Sequence, residues 1–297
     1  MAIILLQKKM KIKIRNKCPF CENRNLTKIF SKSYKDPQIQ NFLKSYYNNK
    51  KILKILKNDY YTLIECLDCR LIFQKNIPDY KLSEFLYDKV ISAKKSLYKK
   101  KNLDIENFEQ YFKDAKIINN LCKKKNNQIN ILEFGCGWGY WANLMRSLNF
   151  NVETVEFSKK RSQFLKKRGI KNHLKLTSVK KKFDIIYTDQ VLEHLETPNK
   201  IIKDLNKKLK IGGFMIHKFP STKNFKNKLK NNYKIKKDCA HPLEHINLIN
   251  KKSMYALAQK LKLKPLSPYI VKNFNLFENI INIKNNIDFN KVILKKY

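Results

Sequence analysis

The 297-residue sequence is poor in the residues that punctuate or break a chain, with only 6 Gly and 8 Pro. That excludes collagen-like and Gly/Pro-rich low-complexity classes. It also makes the placing of glycine informative, because three of the six fall at 135, 137 and 139. Acids are scarce as well: 24 Asp and Glu stand against 64 Lys and Arg, a net charge of +40. Arginine is scarcer still, limited to Arg15, Arg24, Arg70, Arg146, Arg161 and Arg168. Nucleic-acid binders favour Arg for bidentate and stacking contacts. The abundance of Lys, Asn, Ile and Tyr is the mixture that an A/T-rich genome encodes, so the charge reads first as solvated surface. Long apolar runs are also lacking, and no segment approaches the about 18 residues of a membrane span. Near the start, the short apolar run Ala2 to Leu6 is followed by its basic residues, the reverse of a signal peptide. A cytoplasmic protein is expected.

What is present is enough for a substantial core: 43% of residues are hydrophobic and 12% aromatic. Residues 1–95 carry two Cys pairs, separated by a Lys/Asn/Tyr-rich stretch, Ser31 to Asp59, that reads as an insertion or a surface helix. Residues 96–128 read as a helical connector, whose stripe is Ile105, Phe108, Phe112, Ala115, Ile118 and Cys122 at steps of three and four. From 129 to 297 the pattern alternates strand and helix. Strands are expected at Ile129 to Phe134, Asn151 to Phe157, Phe183 to Thr188 and Gly213 to Phe219. Helices are expected around Trp141 to Leu148, from Ser158 to Gly169, from Thr197-Pro198 to Gly212, and from Ser253 to Leu261. Extended candidates follow at Leu266 to Val271 and Lys291 to Tyr297. Buried, non-alternating strands between helices predict an α/β fold with a parallel sheet covered on both faces.

The segment Ile131-Leu132-Glu133-Phe134-Gly135-Cys136-Gly137-Trp138-Gly139 leaves a strand and enters a helix. Gly135 and Gly137 let the backbone approach a ligand, and the helix N-terminus offers free N–H groups. A dinucleotide fingerprint would place its third Gly at Tyr140. Here it is Gly139, and Glu133 precedes the loop, an acid suited to a ligand carrying ammonium and sulfonium charge. Glu156 lies 21 residues beyond Gly135 at the end of the second strand, where a carboxylate accepts hydrogen bonds from ribose hydroxyls. Glu153 is its competitor.

These pieces, with Val155-Glu156-Phe157-Ser158, Phe183 to Pro198, Leu209 to Pro220 and His241 to Ile249, resemble the class I S-adenosylmethionine-dependent methyltransferases. The likeness is greatest to the group whose fourth strand ends in Leu-Glu-His, and it covers roughly residues 129–271. It implies a Rossmann-like seven-stranded sheet with one antiparallel edge strand. It also implies cofactor contacts from Glu133, Gly135, Gly137, Gly139, Glu156, Asp189 and Gln190. Two departures stand out. Thr177 to Lys180 lacks the acid that many relatives place near adenine. Gln190 replaces an acid that ubiquinone-pathway relatives carry beside a metal.

Cys18-Pro19-Phe20-Cys21 and Cys66-Leu67-Asp68-Cys69 are two C-x2-C knuckles, the donor set of a structural zinc site. The 44 residues between them exceed usual ribbon spacing, which an insertion at the tip accommodates. Cys66 to Phe73 resembles the zinc ribbon that opens many bacterial methyltransferases of sugar and surface-polysaccharide pathways. Cys122, Cys136 and Cys239 read as buried small residues.

The implied activity is methyl transfer to a small-molecule or carbohydrate acceptor, whose proton a base must remove. His194, His217, His241 and His245 are the base candidates, with His245 and His217 preferred. His241-Pro242-Leu243-Glu244-His245 reads as a lid or substrate wall, and His173 as uninvolved. The alternative is an RNA methyltransferase that uses the basic surface and ribbon. Against it, Thr188-Asp189-Gln190-Val191 does not suit methylation of a flipped base. A cofactor-fold binding module without catalysis is the third reading.

Overall fold

The computed structural model describes residues 10–91, 93–102, 104–266 and 289–297. The chain opens with β1 (Ile12–Ile14), β2 (Leu26–Ser33), α1 (Pro37–Tyr46), α2 (Lys50–Leu56), β3 (Tyr60–Cys66), β4 (Ile72–Gln74) and β5 (Asn76–Pro78). Next come α3 (Tyr80–Phe85), a π turn over Leu86–Val90, α4 (Ala93–Lys101) and α5 (Ile105–Cys122). The alternating region is β6 (Asn130–Phe134), α6 (Tyr140–Ser147), β7 (Asn151–Val155), α7 (Lys159–Lys167), β8 (Lys171–His173) and β9 (Phe183–Asp189). It continues with α8 (Pro198–Lys208), β10 (Leu209–Pro220), α9 (Phe225–Lys230), β11 (Asn247–Leu248), α10 (Lys251–Lys260), β12 (Leu263–Pro265) and β13 (Phe289–Lys296).

Seven strands form one sheet in the order β12-β13-β10-β9-β6-β7-β8. The pairs β6–β7, β6–β9, β9–β10 and β7–β8 are parallel. The antiparallel member, β13, is not at the edge as the resemblance implied. It lies between β10 and β12, pairing Phe214↔Lys295 and Leu263↔Lys296, and the edge strand is β12. Alternate residues face opposite cores. Leu132, Phe134, Ile186 and Met215 pack towards α8 and α10. Ile131, Ile185, Tyr187 and Ile216 pack towards α5 and α6. This is the α/β sheet covered on both faces that the strand–helix alternation predicts, with the seven strands that the resemblance implies. Of the expected strand from Leu266 to Val271, β12 ends at Pro265 and residues 267–271 lie outside the described residues.

The Lys/Asn/Tyr-rich stretch is more than a surface insertion. Asp36 caps α1 ahead of Pro37, and Asn49 caps α2. Together the helices bury Ile39, Leu43, Ile52 and Leu56 in a separate core with Tyr34, Tyr61 and Leu63. Residues 225–248 return to complete that core with Phe225, Tyr233, Ala240, Leu243 and Leu248. Their strand β11 joins a four-stranded sheet, β11-β4-β3-β2. The N-terminal layer is therefore assembled from residues before the alternating region and from residues 225–248.

The stripe on α5 is only half buried. Ala115 and Ile118 are inside, whereas Ile105, Phe108 and Phe112 are 78%, 39% and 45% exposed. The helix is turned so that Asp114 enters the core, where Tyr187, Trp141, Lys218 and Lys291 engage it. Among the described residues no helix is long and apolar enough to cross a membrane.

Candidate functional site

The C-terminal ends of β6, β9 and β10 open into a cavity of about 720 Å3. Its floor is the glycine loop. Gly135, Gly137 and Gly139 have φ of +77°, +60° and +68°, a region that side chains with a Cβ occupy only at a cost. A Cβ at Gly135 would lie 2.5 Å from Val191 Cγ2, and one at Gly139 would lie 2.2 Å from Leu165 Cδ2. At Gly137 nothing stands within 4 Å, so that position is left open for a ligand. The loop is braced by Glu156, whose Oε2 accepts from Gly137 N and Oε1 from Ser158 N, each at 2.9 Å.

Two acids border the loop. Glu133 is 5% exposed, and burial, with the charge of Asp189 added, pushes its carboxyl well above the usual carboxylate range. Glu133 Oε2, Asp189 Oδ1 and Gln190 Nε2 are buried atoms without a hydrogen-bond partner among the described residues. Buried polar atoms are normally satisfied, so the pair of acids is arranged for a cationic guest. Behind them stands a pillar. Asp114 pairs with Lys291 at 2.7 Å and with Lys218 at 3.5 Å, and Lys218 reaches Asp189 at 3.2 Å. The nearby cations hold the Asp114 carboxyl below its ordinary value despite complete burial, which by itself acts the other way.

The third wall comes from the N-terminal layer and the 241–245 segment. Tyr87, His194 and Glu244 line it. His194 Nδ1 lies 2.9 Å from the Glu244 carbonyl and 3.0 Å from the Tyr87 hydroxyl. A carbonyl only accepts, so Nδ1 carries the proton and Nε2 keeps its lone pair. Burial lowers the His194 pKa to about 4, which keeps the ring neutral at physiological pH. The His245 ring lies 4.9 Å from that of His194 and 3.9 Å from that of His241. Glu193, His194 and His245 bring one metal-ligand atom each within 4.8 Å of one another.

The structure gathers Glu133, Gly135, Gly137, Gly139, Asp189, Gln190 and His194 around one cavity. Glu156 sits directly behind the loop and outside the cavity lining, with its Oε2 also facing Arg161 Nη1 at 3.8 Å. Two of the histidine assignments need correction. His217 is fully buried within β10 with Nδ1 2.8 Å from Thr188 Oγ1, and it does not line the cavity. Inward-facing strand positions point into the core before they reach the strand end, which is why its location near that end misleads. His245 also stands outside the lining, behind His194. Glu153 is taken up by Lys171, Lys181 and His173. Sequence reasoning missed Tyr87, Arg161, Lys218 and Lys291, which all line the cavity. A Lys inside the apolar run Phe214 to Phe219 was the available signal for Lys218, because a buried Lys requires acids beside it.

The four knuckle cysteines converge. Cys18 and Cys69 Sγ are 3.4 Å apart, as are Cys21 and Cys66 Sγ, and all four lie within 4.8 Å of one another. Asn23 and Asn25 tie the first knuckle to Asp68 in the second. Cys136 and Cys239 are buried and Cys122 half-buried.

Comparison with known proteins agrees with this architecture. The sequence pattern of a family described as a methyltransferase domain matches residues 106–267. The ubiquinone biosynthesis O-methyltransferase of Pelagibacter ubique is 34% identical over 116 residues, covering 36% of this chain and 48% of that protein. The chain thus spans about half the length of this curated relative. The structure of the plantazolicin methyltransferase BpumL in complex with SAH superposes with a TM-score of 0.53 at 13% identity, over 72% of this chain and 94% of that one. The same enzyme with a monoazolic desmethylPZN analog and SAH gives 0.52 at 13% identity, over 73% and 94%. At such identities the likeness is one of fold.

Proposed function

The chain belongs to the methyltransferase-domain family, and we propose that it moves a methyl group from S-adenosylmethionine to a small-molecule acceptor. The observation that carries this reading is the glycine-loop cavity with its two unsatisfied acids. A sulfonium cofactor supplies an activated methyl group for in-line displacement. The cofactor's cationic amino-acid end suits Glu133 and Asp189. Its ribose hydroxyls suit the Glu156 carboxylate, and the open face of Gly137 permits close approach of the nucleoside.

The chain's remaining task is to orient the acceptor and take its proton. His194 is the base in this proposal, since its neutral ring lines the cavity with Nε2 unprotonated. Gln190, Asn107, Gln110, Glu106 and Tyr87 also line the cavity and offer hydrogen bonds to a polyhydroxylated guest. Together with the ribbon resemblance, they support a sugar or surface-polysaccharide-type acceptor. The four thiols suit a structural zinc ion: Zn–S bonds of about 2.3 Å place tetrahedral sulfurs ~3.8 Å apart, close to the spacing here. The fold would then divide into a ribbon-bearing layer, a helical connector and the transferase sheet, working in the cytoplasm.

The test is transfer of radiolabelled methyl from S-adenosylmethionine into fractionated cell extract, with Gly137→Asp as control. Label in low-mass or carbohydrate fractions supports the proposal. Label released by ribonuclease would replace it with the RNA reading. No label above the Gly137→Asp control, with no S-adenosylmethionine bound, would refute the cofactor assignment.

A further inference from the structure

The turn that carries His194 is buried at Leu192 and short in backbone hydrogen bonds of its own. Leu192–His194 is a single 3-10 turn whose backbone bonds are local, His194 N to Val191 O and Leu195 N to Leu192 O. The two carbonyls that bracket His194 are instead held from across the molecule. Asn247, fully buried on β11, donates through Nδ2 to Leu195 O at 2.7 Å and to Leu192 O at 3.1 Å.

The Asn247 amide is itself fixed. Its Oδ1 accepts from Arg15 Nη1 at 2.8 Å. A guanidinium only donates and carbonyls only accept, so the amide cannot be flipped without losing three hydrogen bonds. Arg15 is buried and directs its Nε and Nη2 donors to the Gln74 and Ile246 carbonyls while lying over the Phe73 ring at 4.9 Å. Gln74 in turn donates to the His241 and His245 carbonyls. The same 241–247 segment therefore holds this turn twice, at the His194 ring through the Glu244 carbonyl and at the flanking Leu192 and Leu195 carbonyls through Asn247.

We propose that Asn247 is a positioning residue: clamped by Arg15, it fixes the Leu192–Leu195 turn and so aims the His194 ring into the acceptor side of the cavity. The proposal rests on His194 being the base of the reaction proposed above. It assigns the N-terminal layer a part in turnover, because Arg15, β4 and β11 together form the clamp.

The discriminating substitution is Asn247→Asp. The volume is unchanged and Arg15 keeps its partner, but the atom facing Leu192 O and Leu195 O can no longer donate. Initial rates of label transfer from radiolabelled S-adenosylmethionine into the low-mass fraction of a cell extract should fall by about 10- to 100-fold. Binding of S-adenosylhomocysteine, read by calorimetry, should be unchanged. In a His194→Ala background the same substitution should cost less than about twofold, because residues that act through one another are not additive. Multiplicative losses would overturn the proposal and leave Asn247 a general stabiliser.

A second readout needs no turnover. Histidine-ring 15N spectra, assigned with His194→Gln, should show a single Nδ1–H tautomer for His194 in the native chain. In Asn247→Asp that signal should shift or broaden, and an unchanged His194 signal would overturn the proposal whatever the activity does. If Asn247→Asp does not fold, Asn247→Ser retains one donor and should show the same effects in smaller measure. A native chain that transfers no label would refute the functional reading alone, with the ring spectra still deciding the clamp.

Discussion

The two layers of the molecule are stabilised in different ways. In the transferase sheet, β6, β9 and β10 are apolar strands covered by helices, and the core residues Leu132, Phe134, Ile185, Ile186 and Met215 are wholly buried. Each of these strands is specified by its own few residues and by the helix that follows it. The N-terminal layer has short strands, two capped helices, four clustered thiols and a set of buried polar groups, Arg15, Gln74, His241 and Asn247. Apolar burial is non-directional and degrades gradually, whereas a buried polar network stabilises only while every member is satisfied. The apolar strands of the first layer should tolerate single losses that the second layer, like the buried Asp114–Lys218–Lys291 pillar, does not.

The largest effect is expected where the second layer is most exposed to failure. Cys66→Ser should remove bound zinc and lower the melting temperature by more than about 10 °C, measured by elemental analysis and calorimetry. Unchanged metal content and melting would show that this layer is held by its apolar core after all.

In the sheet, the expected dependence is on pH. Burial lowers His217 from its ordinary value near 6.5 to about 4. The unfolded chain therefore binds a proton that the folded chain refuses, and stability contributed above pH 6.5 is lost as pH falls towards 4. For this wholly buried group the loss amounts to about 3 kcal/mol. His217→Asn should make the urea-derived stability curve shallower by about one proton over that range, and an unaltered slope would place the dependence elsewhere.

The glycine loop separates stability from binding. Gly139→Ala meets Leu165 and a positive φ together, and should cost about 2 kcal/mol in urea unfolding. Gly137→Ala meets only the φ and should cost about 1 kcal/mol. It should nevertheless weaken S-adenosylhomocysteine binding about tenfold or more, because its methyl group would occupy the open face. Equal effects of the two on both readouts would contradict the proposed ligand pose. The smallest change is Tyr47→Phe, which removes the hydroxyl that bonds the Pro242 carbonyl and Glu244. About 1 kcal/mol is expected, seen in thermal melting.

This contrast also explains what could be read from the residues in order. The glycine loop, Glu133, Glu156 and the β–α alternation are local patterns, and the fold follows from them. The knuckles were legible because metal donors repeat at a short spacing. The stripe on α5 was misjudged at Ile105, Phe108 and Phe112, since the helix rotates to bury Asp114 against Lys218 and Lys291, partners 104 and 177 positions away. His217 was placed in the site because strand ends are visible in sequence and the facing of one side chain there is not. Asn247 lay inside the His241-to-Ile249 segment, but nothing in the residue order singled it out. Its significance is a matter of three partners, Arg15, Leu192 and Leu195, that only the folded chain brings together.

The position of β13 inside the sheet has a consequence for synthesis on the ribosome. The strand spans 289–296, yet it separates β10 from β12, both of which emerge earlier. Until it arrives, β10 presents an open edge from Phe214 to Pro220 and β12 lacks its strand partner among the described residues. An unpaired edge of this kind is a template for intermolecular pairing. Lys291, which anchors Asp114 beneath the cavity, comes with the same strand. A nascent chain stalled before residue 289 would thus carry a sticky edge and an incomplete site at once, and release of β13 would complete both in a single step.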